Sequence, residues 1–227
     1  MKLLALETSS NACSVALANG SDVLERHVIE PRAHTRILMP MIRELLAEAG
    51  FGSNDLDAII LGNGPGSFIG MRIGASVAQG IAYAAGLNIL PLSSLAAIAA
   101  EVMAGSDARY VAVTQDARMH EVYSGFFERG TGGLPMAIGQ ETIQSVAGIV
   151  LPENDGSPWS AAGDGWRVIE QSGHSPWKLL MCEVRVPRAR YLVEISRPLL
   201  GTDALIAPEL LEPAYLRHTV ATPPKSS

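Results

Sequence analysis

The chain has 227 residues, of which 48% are apolar, and its formal net charge is −6. This apolar content is enough to bury an ordinary core, so we expect the chain to fold unaided. The acidic balance argues against direct binding of nucleic acid, because neutralising phosphates requires clustered Lys and Arg. Any role in RNA chemistry should therefore be indirect.

The opening apolar run is too short for a signal peptide, because Glu7 and Thr8 interrupt it. No later segment is apolar over the length that spans a bilayer. The two cysteines, Cys13 and Cys182, are far apart and lack metal-type spacing, which suits a reducing compartment. We therefore expect a cytoplasmic protein without a membrane partner.

The first part of the chain predicts a strand-rich opening followed by a strand-helix-strand unit. The expected strands cover residues 3–6, 13–17, 23–29, 58–61 and 89–92, the first three of them antiparallel. The expected helices cover residues 34–50, 68–85 and 95–103. Ser93 or Ser94 should cap the third helix. Pro40 should either kink the first helix or mark its first turn.

The second part repeats this opening in outline, which suggests a duplication. Strands are expected at residues 110–114, 122–127 and 136–138, a polar loop at 152–158, a tight turn at 161–165 and a helix at 191–200. The sequence Gly105-Ser106-Asp107 is the expected boundary. We therefore predict one domain over residues 1–104, a second over 105–217, and a disordered tail over 218–227.

A glycine-rich segment, residues 62–70, lies between an expected buried strand and the helix that follows it. Free backbone amides at such a junction could bind an anion, with Gly64, Gly66 and Ser67 as candidates. It is neither a P-loop nor a dinucleotide fingerprint, because the spacing differs from both. The alternative is a tight turn in which Ser67 caps the helix. Residue types leave both interpretations open.

Two carboxylates stand at corresponding strand ends of the two parts. Glu7 follows the first strand, where a metal-linked carboxylate would serve a nucleotide, although such residues also make ordinary turns. We expect Asp116 to form a structural salt link with Arg118. The five histidines are never three or four residues apart, and no nucleophile elbow is present. The sequence therefore predicts neither a metal site nor hydrolase chemistry.

The helix that begins at His34 has an apolar arc of roughly 160°, wider than the roughly 100° that one core needs. Part of that arc is predicted to meet a second protein surface, and a thick core is the alternative. The helix over residues 68–85 is apolar or small on nearly all sides. Both helices are therefore candidates for a partner surface.

Several motifs together resemble the bacterial TsaB family. They are LALETSS at residues 4–10, CSVAL at 13–17, GPGSFIGMRIG at 64–74, DAR at 116–118, EVY at 121–123 and PAYLR at 213–217. The resemblance implies an α/β fold with two ribonuclease-H-like halves of the actin, sugar-kinase and Hsp70 type. It also implies a role in forming threonylcarbamoyladenosine at the adenosine beside the anticodon of tRNAs that read ANN codons.

The resemblance implies that the chain is the non-catalytic partner of the paralogue TsaD. In TsaD-like proteins a metal-binding histidine pair occupies the positions that match Ser94 and Ile98, and an isoleucine cannot ligate a metal. The family usually has Asp where this chain has Glu7, and Thr where it has Ile69. Both departures weaken a claim of nucleotide binding.

The implied partners are TsaD, a second copy of the chain when it is free, the ATPase TsaE, and tRNA through the assembly. The chain itself requires no cofactor, although ATP or ADP with Mg²⁺ could lie at the complex interface. The shared surface should involve residues of the two candidate helices. These are Ile37, Leu38, Met41, Ile42, Leu45, Met71, Arg72, Ala75, Ala78 and Gln79.

Two other classes of function compete with this scaffold. One is a small-molecule kinase or ATPase that uses Glu7, Asp116 and the glycine-rich segment around a Mg²⁺-nucleotide. The other is a metallopeptidase, a label that the wider superfamily has carried. Nucleotide calorimetry and metal analysis distinguish them from the scaffold.

Overall fold

A computed structural model describes residues 1–173 and 177–217 of the chain. Its strands are β1 Lys2–Glu7, β2 Ala12–Asn19, β3 Asp22–Ile29, β4 Ala58–Gly62, β5 Ile89–Leu92, β6 Tyr110–Arg118, β7 Glu121–Arg129, β8 Pro135–Ala137, β9 Thr142–Ser145, β10 Trp159–Ala162 and β11 Leu179–Met181. Its α-helices are α1 His34–Ala49, α2 Phe68–Ala85, α3 Ser94–Gly105, α4 Trp166–Gln171 and α5 Ala189–Ser196. The predicted tail, residues 218–227, lies outside the described residues.

The first sheet has the strand order β3-β2-β1-β4-β5. Strand β1 pairs antiparallel with β2, which places Glu7 opposite Ser14, and parallel with β4, which places Leu6 beside Leu61. The connection from β3 to β4 crosses over through α1, and the connection from β4 to β5 crosses over through α2. This meander followed by parallel crossovers is the ribonuclease-H-like arrangement that the sequence motifs imply.

The predicted elements of the first sheet and its helices are confirmed, and α2 and β5 have the predicted bounds. Helix α1 begins at His34, so Pro40 lies inside the helix and does not mark its first turn. Gly50 ends α1 in the left-handed conformation, which glycine adopts without a steric penalty. Ser93 caps α3, since its side chain accepts a hydrogen bond from the Ala96 amide.

The second sheet has the order β11-β10-β6-β7-β8, and β9 also pairs with β7. Strands β6 and β7 are confirmed, although β6 runs to Arg118 and the prediction ended it at residue 114. The tight turn expected at residues 161–165 is wrong in part. Residues 159–162 form the buried strand β10, and the turn comes after it. The sequence analysis also missed β9, β11 and α4, because elements of three to six residues carry too few positions for a periodic pattern.

Helix α3 lies between the two sheets and packs on both. Ala97 and Ala100 contact the first sheet, while Ile98 and Val102 join the core of the second. Helices α1 and α2 cover the opposite face of the first sheet. Within the described residues no helix combines the length and apolarity that crossing a membrane demands.

The chain returns to the first sheet after the second sheet is complete. Helix α5 packs on β1, β2 and β4, and Ile206 exchanges two backbone hydrogen bonds of 2.8 Å with Ile89 of β5. Leu211 is buried in the core beneath α1 and α2. The predicted second domain, residues 105–217, is therefore too long, because its last part belongs to the core of the first half.

A buried carboxylate holds the start of the returning segment. Glu25 of β3 pairs with Arg188, and its Oε1 accepts a hydrogen bond of 3.2 Å from the Arg190 amide. Ser14 of β2 accepts a bond of 2.9 Å from the Ala189 amide. These bonds satisfy the first amides of α5, which have no partner inside the helix. Side chains of the first sheet thus fix where α5 begins.

A second carboxylate joins the two halves near α3. Glu141, which precedes β9, accepts a hydrogen bond from the hydroxyl of Ser93, the cap of α3. The start of a helix favours a negative charge. Burial nevertheless raises the pKa of Glu141 from its ordinary value of 4.5 to about 7, against the opposing effect of the Ser93 bond.

This carboxyl group should make stability depend on pH. The free energy of unfolding should fall as the pH rises from about 4.5 to about 7, because the folded chain retains a proton that the unfolded chain has released. Urea unfolding of the wild-type chain and of Glu141→Gln across this range measures the effect. The fall should be smaller in Glu141→Gln, which has no proton to lose. Equal falls in both proteins would contradict the assignment.

Candidate functional site

A polar cleft of about 360 Å³ lies between the two halves. Its walls come from the turn after β1, the start of α2, the end of β6, and the turn and helix after β10. The lining residues are Ser9, Ser10, Asn11, Gly66, Ser67, Gln115, Asp116, Arg118, Asp164, Arg167, Val168 and Gln171. The cleft therefore joins the two corresponding strand ends that the sequence analysis singled out.

The cleft contains two of the four residues that were predicted to bind a nucleotide or an anion. Gly66 and Ser67 line it, whereas Gly64 and Glu7 do not. Ser67 caps α2 by accepting a bond of 3.3 Å from the Gly70 amide, and its own amide donates to the Ser9 carbonyl at 2.6 Å. Two of the amides that an anion would need are thus already bonded. The helix-cap interpretation of this turn is confirmed.

Glu7 lies behind the cleft in a sealed polar network. Its carboxylate accepts bonds from the Ser94 hydroxyl at 2.7 Å and from the Ser9 amide at 2.6 Å. Ser94 in turn accepts a bond of 3.2 Å from the Gly64 amide. Burial raises the pKa of Glu7 despite these bonds, and the side chain is fully buried. The enclosed carboxylate links the end of β1 to Ser94 at the start of α3 and has no open side toward a ligand.

The glycines of α2 allow the helix to touch the end of β1. A Cβ atom at Gly70 would lie 2.0 Å from the Thr8 carbonyl oxygen, and one at Gly74 would lie 2.3 Å from the Thr8 hydroxyl. That hydroxyl donates a bond of 2.8 Å to the Gly70 carbonyl. Gly66 approaches Ser9 in the same way. The glycine motif is therefore explained by close packing of backbone on backbone.

The second half supplies charged groups to the cleft. Arg118 forms the predicted salt link with Asp116 at 3.1 Å, although the exposed guanidinium makes this pair weak. Asp164 accepts a bond of 3.1 Å from the Asp116 amide. Burial raises the pKa of Asp164, with this bond opposing the shift. Asp164 and Arg167 were missed because the elements around them, β10 and α4, were missed.

Two buried polar side chains of the cleft have no hydrogen-bond partner within the described ranges. They are the Ser9 hydroxyl and the Gln115 Oε1 atom, one from each half. Both residues are more than nine-tenths buried. Unpartnered buried polar atoms are rare in folded proteins, because each loses its bonds to water.

A second concave surface, the α1–α2 groove, is apolar. Its volume is about 390 Å³, and it is lined by His34, Thr35, Leu38, Met39, Phe68, Ile69, Arg72, Ile73, Ser76 and Val77. Ile69 is 69% exposed and Phe68 38% exposed. The Ile69 side chain, which stands where the family usually has Thr, therefore faces this groove and does not line the polar cleft.

Most residues predicted for the partner surface are buried in the chain's own core, so they do not form the exposed surface that was predicted, although one of them, Leu38, lines the α1–α2 groove. They are Leu38, Met41, Ile42, Leu45, Met71, Ala75 and Ala78. The wide apolar arc of α1 reflects a thick core shared with the first sheet and α2. Ile37 and Gln79 are half-buried, and Arg72 is exposed. The Gln79 side chain donates hydrogen bonds to the Pro208 and Leu211 carbonyls.

Met41→Asp should unfold the chain, because Met41 is buried and the substitution would bury a charge.

The positions that match the metal-binding pair of TsaD-like proteins have other roles here. Ser94 is bonded to Glu7, and Ile98 is fully buried in the core of the second sheet. Across residues 1–173 and 177–217, no group of three or more His, Cys, Asp or Glu side chains is arranged to hold a metal ion.

Comparisons with known proteins identify the family that this chain resembles. The family model described as TsaD, tRNA N6-adenosine threonylcarbamoyltransferase, matches residues 27–174. The chain is 34% identical to the tRNA threonylcarbamoyladenosine biosynthesis protein TsaB of Escherichia coli K12, over 97% of this chain and 96% of that protein. Its identity to the Haemophilus influenzae protein of the same name is also 34%, over 97% and 95% of the two chains.

Among solved structures, YeaZ from Pseudomonas aeruginosa is 35% identical and superimposes with a TM-score of 0.88, over 95% of this chain and 99% of that one. Another structure with the same values is described as an uncharacterized protein with similarity to peptidase YeaZ. The predicted α/β fold with two sheets of the actin-like type is confirmed by this agreement.

The close approach of α2 to β1 makes a strict steric prediction. Gly70→Ala should lower the free energy of unfolding by about 2–4 kcal/mol, because its Cβ would overlap the Thr8 carbonyl. Gly80→Ala is the matched control on the same helix, where a Cβ meets nothing within 4 Å. That variant should stabilise the chain by about 0.5–1 kcal/mol. Urea unfolding compares the two, and equal effects would contradict the packing role.

Proposed function

The chain belongs to the TsaB family of tRNA threonylcarbamoyladenosine biosynthesis proteins, and we propose that it serves this pathway as a non-catalytic partner of TsaD. The α1–α2 groove carries this proposal. Exposed apolar surface of this kind, rimmed by polar residues, is typical of protein interfaces. Ile69 and Phe68 are its most exposed apolar side chains, and Ile73 and Val77 continue it along α2.

The positions of Glu7 and Ile98 support a scaffold role. The carboxylate of Glu7 is enclosed by Ser94 and Ser9, so it cannot reach a substrate without rearrangement. Ile98 stands where the TsaD-like proteins have a metal ligand, and an isoleucine cannot replace one. We therefore assign the carbamoyl transfer to TsaD and the support of its active form to this chain.

The other proposed partners are those that the family resemblance implies. A second copy of the chain would cover the groove when TsaD is absent, which gives a homodimer. TsaE would join as a third component, and tRNA would be reached through the assembly, in keeping with the net charge of −6. We expect this work to take place in the cytoplasm, where the other components act.

A charge placed in the groove should separate this chain from TsaD. Ile69→Asp should weaken the complex by about tenfold or more, because the aspartate would lose its water in an apolar interface. Ile29→Asp is the matched control, since Ile29 is 66% exposed at the end of β3 and lies outside the groove. Calorimetry with purified TsaD measures both variants, and circular dichroism checks that both are folded. An Ile69→Asp variant that binds TsaD normally would refute the groove as the interface.

The function itself is tested by reconstitution. Modification of tRNA by TsaD and TsaE, with threonylcarbamoyl donor and ATP supplied, should require this chain and should fail with Ile69→Asp. Modification at an unchanged rate without the chain would overturn the proposal.

Nucleotide binding in the polar cleft is the second candidate function. The unpartnered Ser9 hydroxyl and Gln115 amide oxygen favour it, since a ligand is one way of satisfying such atoms. Calorimetry with ATP and Mg²⁺ on the isolated chain is the test. Asp116→Asn should abolish binding, whereas Glu7→Gln should not, because Glu7 does not line the cleft. Absence of heat with the wild-type chain would remove this candidate.

A further inference from the structure

Residues 212–217 are the last that the structure describes, and they contact both halves of the molecule. We call this segment the C-terminal strap. Its start is tied to the first half: the Asn63 side chain donates a bond of 2.9 Å to the Glu212 carbonyl, and the Ala214 amide donates to the Asn63 carbonyl at 3.3 Å. The Tyr215 ring then packs on Phe68, with 5.1 Å between ring centroids. The strap therefore rests on the first turn of α2.

The end of the strap is tied to the second half. Arg217 donates a bond of 2.8 Å to the Ala117 carbonyl at the end of β6. Its guanidinium also forms an ion pair of 2.7 Å with Glu121 at the start of β7. The Arg217 side chain thus bonds to both of the strands that the β6–β7 turn connects. Arg217 is four-fifths buried at this position, so water competes weakly for these bonds.

The turn that Arg217 holds is strained. Arg118, Met119 and His120 have φ angles of 66°, 57° and 60°, so three successive residues other than glycine are left-handed. This conformation crowds the Cβ atom and persists where the surroundings enforce it. Strained segments held by a few contacts are common in parts of proteins that change conformation. Release of Arg217 should therefore let the turn relax.

The strap also touches residues that line the α1–α2 groove. The Arg72 guanidinium donates a bond of 2.8 Å to the Tyr215 hydroxyl and lies 3.8 Å from the Phe68 ring centroid. Phe68 and Arg72 both line the groove. On the other side, Arg118 of the strained turn lines the polar cleft. A continuous set of contacts thus runs from groove to cleft through Tyr215 and Arg217.

We infer that the C-terminal strap couples the α1–α2 groove to the β6–β7 turn, so that a partner in the groove controls the conformation of the cleft wall. The inference rests on the proposed function in taking the groove as a partner surface. A partner that orders Phe68 and Arg72 stabilises the strap and its hold on the turn. Coupling between binding sites is reciprocal, so a turn released from the strap weakens binding in the groove.

The first arm of the test uses the isolated full chain. Hydrogen exchange of the amides at residues 117–121 is compared between wild type and Arg72→Gln, which breaks the bond to Tyr215 from the groove side. We expect exchange to be faster by about tenfold. Tyr215→Phe, which keeps the ring contact, should act in the same direction. Arg43→Gln is the matched control: Arg43 is exposed on α1, and no ion pair to it is present within the described residues. Unchanged exchange in Arg72→Gln would overturn the coupling.

The second arm measures the reverse direction. Arg217→Gln is remote from the groove, and it should weaken binding of purified TsaD by about fivefold or more. Faster exchange in this variant with unchanged affinity for TsaD would violate reciprocity and overturn the inference. If the wild-type chain does not bind TsaD, the proposed function fails, and exchange in Arg72→Gln then decides the coupling independently. Circular dichroism confirms that each variant is folded.

Discussion

The contact between α2 and the end of β1 is the constraint on which the rest of the structure depends. Gly70 and Gly74 bring the helix backbone against Thr8, so the first turn of α2 stands beside the turn after β1. The same approach makes one wall of the polar cleft from Gly66 and Ser67. It also commits one face of α2 to the sheet and leaves another beside α1, where the apolar groove lies.

The molecule thus presents two surfaces of opposite chemistry on one helix. The cleft is lined by hydroxyl, amide, carboxylate and guanidinium groups, whereas the groove is lined mainly by aliphatic and aromatic side chains. A concave cleft between two halves is a common place for a small ligand, and an exposed apolar surface rimmed by polar residues is typical of a protein interface. Phe68 and Ser67 are neighbours in the chain but face these two surfaces separately. The start of α2 is therefore shared by the cleft and the groove.

Sequence reasoning succeeded where the pattern is local and failed where it is not. The helical period of the sequence predicted both ends of α2 correctly. Ser67 caps that helix through a hydrogen bond to a residue only three positions away. Most of the predicted partner residues are buried, because a wide apolar arc does not by itself distinguish a thick core from an interface. Asp164 in the cleft was missed because β10 is four residues long. The bond between Arg72 and Tyr215 spans 143 positions along the chain, and the bond between Arg217 and Ala117 spans 100, so no local pattern records these pairs.

The return of the chain to the first sheet has a consequence for how the protein folds as it is translated. One face of that sheet is completed by Ala189, Leu192 and Val193, which a ribosome supplies after more than three quarters of the chain. The first half therefore lacks part of the core on that face until α5 has been made. Folding dominated by such distant contacts is slow and cooperative across the whole chain. Truncation before α5 should accordingly damage the first half and leave the second sheet less affected.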